Sequence, residues 1–442
     1  MNTEKPPVSF VALLLLAIAT LIFVALAGVI VRHSDGTTAA GAALRHVQTW
    51  YYYGLNDVNA SVAPATMARY ADFVEDDGFT AQHAEAFKRA GGRYAVAYTD
   101  PAYVPACIPP FSPPAGRCKG PIGNLVQRDE SAWFHAADGA RVHRFDSYNN
   151  EYQEALDPSS ASARSAYARA TAEIVAHAPG LDFFFADDSG SPWREPGDPP
   201  GAVWFEGFNA PGVEIPSDQN FIAAEIAMLS AAARPVFING SDPRTLLPSY
   251  GGAYLRAPRI AGEVNEDCYR AGRAIVGDRW RRQGDALLAV TALHRYAACF
   301  MQGTTTPANR VYALASWWLT YDARWSVAAP IDPVSGGTAI LPEFGIVPGA
   351  PLRTASRSID LLREGAIYAR EFGACTQDGS PIGPCAAIVN AGNGDAPVPP
   401  LHRRYASVLV LDGRDAISGG TASWRRGPPS EVSAGNALIL RG

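Results

Sequence analysis

Leu181-Asp182-Phe183-Phe184-Phe185-Ala186-Asp187-Asp188-Ser189-Gly190 decides how the rest of this 442-residue chain is read. Apolar residues run straight into two carboxylates and a Ser-Gly turn, as they do where a strand buried on both faces opens at its C-terminal end into a site. Side chains alternate along a strand, so Phe183, Phe185 and Asp187 share one face while Phe184, Ala186 and Asp188 share the other. One aspartate therefore follows the phenylalanines inward, and parity assigns this to Asp187. The plainer reading, a solvated turn capping the next segment, fits the same residues. The surroundings have to choose.

Working outward, other segments repeat the pattern of a strand ending in polar groups. Thr49 to Asn56 is an aromatic-rich first strand, Ala71 to Gly78 a second ending at Asp76 and Asp77, and Arg93 to Tyr98 a third with Asp100 just beyond. Ala155-Leu156-Asp157-Pro158 reads as a short fourth strand, before a helix from Ser162 to His177. After the opening stretch come Arg234 to Gly240 with Asn239, Arg259 to Glu266 with Glu263 and Glu266, and Arg324 to Ala328. Helices are expected over Thr80 to Arg89, from Asp218 through Ala233, over Leu287 to Gln302 and from Arg310 to Tyr321. Strands alternating with helices across some 300 residues imply a parallel α/β architecture. A doubly wound nucleotide-binding sheet usually brings a glycine-rich phosphate turn, and neither GxGxxG nor GxxxxGK[ST] occurs. A (β/α)8 TIM barrel instead gathers polar residues at the C-terminal ends of several strands, as Asn56, Asp76/Asp77, Asp100, Asp187/Asp188, Asn239 and Glu263/Glu266 do here. The barrel is expected over residues 48–365. From 366 to 442 short β-like runs alternate with Gly, Pro and Asn turns, the texture of a small C-terminal β-domain.

The ends of the chain speak to compartment. Val8 to Val31 is a charge-free apolar run of 24 residues, long enough to span a bilayer. Ala25-Leu26-Ala27 before Gly28 also resembles a signal-peptidase site. Residues 1–32 are thus a signal peptide or a membrane anchor, the anchor being favoured because the run continues past Gly28; 33–47 form a linker. Either way the remainder is exported, periplasmic or extracellular. Six cysteines agree, falling as close pairs: Cys107/Cys118, Cys268/Cys299 and Cys375/Cys385. In an oxidising compartment an even set invites disulfides, although six cysteines allow fifteen connectivities. A net charge of −6 leaves no basic footprint for nucleic acid. No cofactor is expected, and His and Cys nowhere show the ligand spacing of a zinc site; an oxygen-rich calcium or magnesium site on Asp76/Asp77 and Asp187/Asp188 ranks below a hydrolytic use of the carboxylates.

Two carboxylates on different barrel strands suit one chemistry above others. Glycosidic cleavage needs a protonated carboxyl to donate to the leaving oxygen and an ionised one as base or nucleophile. Asp187 and Glu263 are the expected catalytic pair, with Glu263 as acid, and small Ala261 and Gly262 beside it leaving room for ligand. Tyr52, Asp77, Asp100, Asp188, Asn239, Glu266 and Trp317 are expected to bind a polysaccharide or oligosaccharide. For the aromatics, core packing is the bland alternative. No GxSxG occurs, so an α/β-hydrolase nucleophile elbow is missing, and His143 and His294 read as surface or packing residues. The competing function is a non-catalytic carbohydrate-binding barrel of the cell envelope, in which the same carboxylates hold sugar hydroxyls without cleaving.

Gly180-Leu181-Asp182-Phe183-Phe184-Phe185-Ala186-Asp187-Asp188, preceded by Ala155-Leu156-Asp157-Pro158, looks like an aspartate-proline strand followed by a "GxDGxFxDD"-type strand. With Tyr312 to Leu319, Pro342 to Pro351 and the tail from Tyr368, these motifs resemble (β/α)8-barrel glycoside hydrolases similar to endo-polygalactosaminidase-like proteins. The resemblance spans residues 48–442 and implies Asp187 as a catalytic position. Phe183 stands where that group usually has glycine, which is expected to narrow the barrel.

Overall fold

The computed structural model describes residues 45–52, 62–76, 82–106, 120–146, 151–189, 218–239, 248–266, 268–271, 273–301, 306–329, 340–356, 358–413 and 420–442. Eight parallel strands form its central sheet: β1 (Trp50–Tyr52), β2 (Phe73–Asp76), β3 (Tyr94–Thr99), β4 (Phe183–Ala186), β5 (Val236–Ile238), β6 (Ile260–Asn265), β7 (Tyr296–Phe300) and β8 (Ser326–Ala329). They lie in chain order, and a parallel bridge from Thr49 to Ala328 brings β8 back beside β1, backed by Ala328 N–H donating to Gln48 O at 2.9 Å. A helix follows each of the first seven strands among the described residues. This is the (β/α)8 arrangement.

The barrel interior is a packed core. Trp50, Phe73, Val96, Phe185, Phe237, Val264, Ala298 and Phe300 form one inner cluster, joined by Tyr94, Phe183 and Tyr296. Phe183 packs its ring 5.2 Å from Phe237 and 5.6 Å from Tyr94, and Trp50 stacks on Phe73 at 5.5 Å. Aromatic rings thus fill the space that a glycine at 183 would leave open. The alternate residues of each strand, among them Ala97, Phe184, Ile238, Ala297 and Cys299, belong to a second cluster that meets the helices.

Two expectations about strands fail. Ala155-Leu156-Asp157-Pro158 is no barrel strand: Glu151–Ala155 lies in a three-stranded antiparallel sheet with Tyr103–Pro105 and His143–Asp146, inserted between β3 and β4. Asp157 there accepts from Ser159 N–H at 2.8 Å and serves the turn into the next helix. The barrel strand that takes its place in the count, β7, lies inside the stretch expected to be helical. The preceding helix spans Gly277–Ala292 and ends at Leu293, and His294 adopts a left-handed φ of +56° that breaks the helical path. Tyr296-Ala-Ala-Cys-Phe then pairs with β6 and β8; tertiary pairing overrides the helix preference of its alanines.

The largest of the other sheets is antiparallel, ordered Ile346–Val347, Ile367–Gln377, Ser380–Asn390, Asn436–Arg441, Ser407–Asp412 and Thr421–Arg426, with Arg363–Glu364 also paired to Ile367–Gln377. It packs on the helix Pro307–Thr320, where Trp318 meets Phe372 edge-on at 5.7 Å. Disulfides join Cys268 to Cys299 and Cys375 to Cys385. Among the described residues no helix is long and apolar enough to cross a membrane. The apolar run of residues 8–31, the linker up to residue 44, Asn56, Asp77 and the Cys107/Cys118 pair lie outside the described residues.

Candidate active site

Register decides which carboxylates face the barrel lumen. In β4, Phe183 and Phe185 belong to the inner cluster, and Asp187 continues that face one step past the strand. Its backbone N–H still donates to Thr99 O at 2.8 Å, so the ladder holds Asp187 in place. Tyr98 O–H donates to Oδ2 at 2.8 Å, Asn239 Nδ2–H to Oδ1 at 2.5 Å, and Asp188 N–H to Oδ1 at 2.9 Å. Three strands therefore converge on one carboxylate and fix the position of both its oxygens. Asp188 itself sits at a φ of +49°, a left-handed conformation uncommon outside glycine.

On β2 the same parity sets Glu75 inward. It lies in register with Tyr52 and Val96, and Trp50 Nε1–H donates to its Oε2 at 2.9 Å. Burial pushes the Glu75 carboxyl well above the usual carboxylate range. The Trp50 N–H opposes this, while the charges of Asp187, Glu266 and Asp76 push in the same direction. Asp76 points the other way. It is in register with Ala97, and it accepts from His83 N–H at 2.8 Å and Ala84 N–H at 2.9 Å, capping the helix Gln82–Arg89.

Glu263 does not share the lumen with Asp187. The register between β5 and β6 shifts at Val236/Phe237, so Phe237 pairs with Gly262 and Ile238 with Glu263. Glu263 and Asn265 are in turn aligned with Ala297 and Cys299, both on the helix-facing side, whereas Val264 is aligned with inward Ala298. The irregularity lets Ala261 and Val264 both touch the inner cluster, three residues apart. Strict alternation from Ala261 therefore gives the wrong face for Glu263. Gly262 is small for packing, not for ligand: a Cβ there would lie 2.2 Å from Tyr296 O. Counting on from Val264, Glu266 is the β6 carboxylate on the lumen side, consistent with its electrostatic action on Glu75.

The other expected positions divide similarly. Asn239 binds Asp187 directly. Tyr52 is half-buried in the barrel mouth with its ring 5.8 Å from Phe300. Asp100 is raised well above the carboxylate range by burial and by the charges of Asp188 and Asp187, against the pull of the Tyr103 and Ala102 N–H groups that donate to it. Asp188 accepts from Arg144 at 3.3 Å. Trp317 is elsewhere: it is buried in the helix Pro307–Thr320 and packs on Tyr321 at 5.1 Å. Core packing, the plainer reading, describes it.

Three contributors were missed in the sequence. Glu75 follows Phe73 by two residues just as Asp187 follows Phe185, so the same parity rule was available for it. Tyr98 is separated from Asp100 by one residue and shares its strand face. Arg144 carried no local signal: it reaches the mouth from the inserted sheet, with its guanidinium 3.7 Å above the Tyr103 ring and its Nε donating to Gln153 at 2.9 Å. Among the described residues no group of three or more His, Cys, Asp or Glu is arranged to hold a metal ion.

No protein-family model matches the chain and no curated protein matches its sequence, so the endo-polygalactosaminidase-like family expected from the motifs is not shown. Among solved structures it is similar to isomaltulose synthase from Klebsiella sp. LX3, at 9% identity over 89% of this chain and 98% of that one, with a TM-score of 0.46. A pullulanase from Paenibacillus barengoltzii aligns at 10% identity over 92% and 80% of the two chains, with a TM-score of 0.44. An α-galactosidase from Thermus thermophilus aligns at 13% identity over 68% of this chain, with a TM-score of 0.38, and the chain spans 60% of its length. Likeness at this level carries no argument about chemistry, which has to come from the residues.

Proposed function

We propose that this protein is a glycoside hydrolase that cleaves a glycosidic bond in a saccharide outside the cytoplasm. Asp187 acts as nucleophile or base, and Glu266, two strands further round the barrel at the end of β6, is the proton donor. The observation that carries the reading is the convergence of Tyr98 O–H and Asn239 N–H on Asp187 at the C-terminal end of the barrel. Barrel enzymes place their chemistry at that end. A carboxylate held by two fixed donors faces a developing positive charge on the sugar without having to reorganise. Tyr52, Asp100 and Asp188 line the approach. The two disulfides support an exported protein, anchored through residues 8–31 where that segment is retained.

The test is hydrolysis of a panel of bacterial exopolysaccharides by the full-length protein and by Asp187→Asn. Removing the charged group is expected to lower kcat by about 10²–10⁴-fold while binding persists. Cleavage by Asp187→Asn at the parent rate overturns the assignment. Binding without cleavage by either form identifies the competing function, a non-catalytic carbohydrate-binding barrel.

A further inference from the structure

Glu75 is absent from the two-carboxylate scheme, yet its placement is hard to explain as packing. It is 1% exposed, and its Oε2 takes the Trp50 indole N–H. Its Oε1 is buried with no hydrogen-bond partner among the described residues. Register with Tyr52 and Val96 turns the side chain into the lumen, on the side where Asp187 and Glu266 act on it. A buried polar oxygen without a partner is a standing cost, and native folds seldom keep one unless something else satisfies it.

We propose that Glu75 is a binding residue of the site, whose unpartnered oxygen hydrogen-bonds to a hydroxyl of the sugar ring seated in the barrel mouth. The inference rests on the mouth being the saccharide site. An uncharged acid fits this position: burial and the neighbouring carboxylates of Asp187 and Asp76 disfavour a charge on it, and Trp50 contributes only a neutral N–H. With its proton on, Glu75 presents a donor where Asp187 already uses its own oxygens as acceptors. The site then favours ligands that bring a neutral hydroxyl to its floor and disfavours ligands that bring a carboxylate or sulfate there.

The experiment is calorimetric binding of the methyl glycosides of glucose, galactose and N-acetylglucosamine to the full-length protein, to Glu75→Gln and to Glu75→Ala. Carbon-13 spectra of the Glu75 carboxyl accompany it. Glu75→Gln keeps a donor and an acceptor of the same shape, so its affinity is expected within about threefold of the parent. Glu75→Ala is expected to lose about tenfold or more, and the carboxyl is expected to stay neutral at pH 7. Unchanged affinity in Glu75→Ala, titration in the ordinary carboxylate range, or no binding of any of the three glycosides overturns the proposal. Binding that depends on Glu75 in a protein that never cleaves polysaccharide sinks the hydrolase reading and leaves this one standing. Cleavage with an unchanged KM in Glu75→Ala does the reverse.

Discussion

Glu75 holds its proton at pH values where the unfolded chain has released it, and this sets a sign for stability. A carboxyl whose folded pKa is raised contributes stability fully below its unfolded value and loses that contribution as pH rises toward the folded one. Asp100 is raised too and acts in the same direction. The unfolding free energy of the parent in urea is therefore expected to fall from the usual carboxylate range toward neutral pH, by up to roughly 1 kcal/mol per pH unit for each group. Glu75→Gln should flatten the profile by its own share; an unaltered slope refutes the assignment of a neutral Glu75. Tyr98 belongs to the same scale. Its O–H is one of the two side-chain donors on Asp187, and a hydrogen bond to a charged group contributes about 1.5–3 kcal/mol. If Asp187 is the working carboxylate, Tyr98→Phe should lower kcat roughly ten- to a hundredfold with little change in KM, as steady-state kinetics on a cleaved polysaccharide will show.

Elements hold this site in place through their ends. The helix Pro307–Thr320 is buried from Arg310 onward and finishes against Arg370 of the antiparallel sheet, whose Nη1 donates to the carbonyls of Trp318, Leu319 and Tyr321 at 3.0–3.3 Å. Those are the carbonyls a helix leaves without internal partners, and a cation at a helix C-terminus also complements its dipole. Desolvation lowers the Arg370 pKa to about 10, still high enough for the charge to be kept at neutral pH. Arg370→Met retains most of the volume and abandons three buried carbonyls, so a loss of about 3 kcal/mol is expected in chemical denaturation. A change below 0.5 kcal/mol would mean that water replaces the guanidinium. The inserted sheet between β3 and β4 does comparable work for the mouth, since it alone brings Arg144 to Asp188.

At the scale of the whole molecule, residues from Leu44 to Gly442 form one compact unit, and the Cys268–Cys299 bridge ties the segment after β6 to β7 across a separation of 31 residues. Closing a loop of that length restricts the unfolded chain by an amount corresponding to about 3–4 kcal/mol. The Cys268→Ser/Cys299→Ser protein is expected to unfold at correspondingly lower denaturant while keeping its far-UV dichroism. Equal midpoints would show that the bridge stabilises nothing beyond the packing of Cys299 in the helix-facing layer.

Seven of the eight barrel strands, two of the close cysteine pairs and the inward course of Phe183 and Phe185 were legible in the residues themselves, because alternation, helical spacing and closeness in sequence are local properties of a chain. Three matters were settled only by the tertiary structure. Tyr296–Phe300 became a strand because two neighbours offered it a ladder, against the preference of its own alanines. Ala155–Pro158 left the barrel because the antiparallel insertion claimed the residues before it. Glu263 turned to the helices because one register shift beside Gly262 reversed the parity of β6. That shift exists only where two strands meet, so no reading of either strand alone discloses it, and it decides which β6 side chains face the lumen and which face the helices.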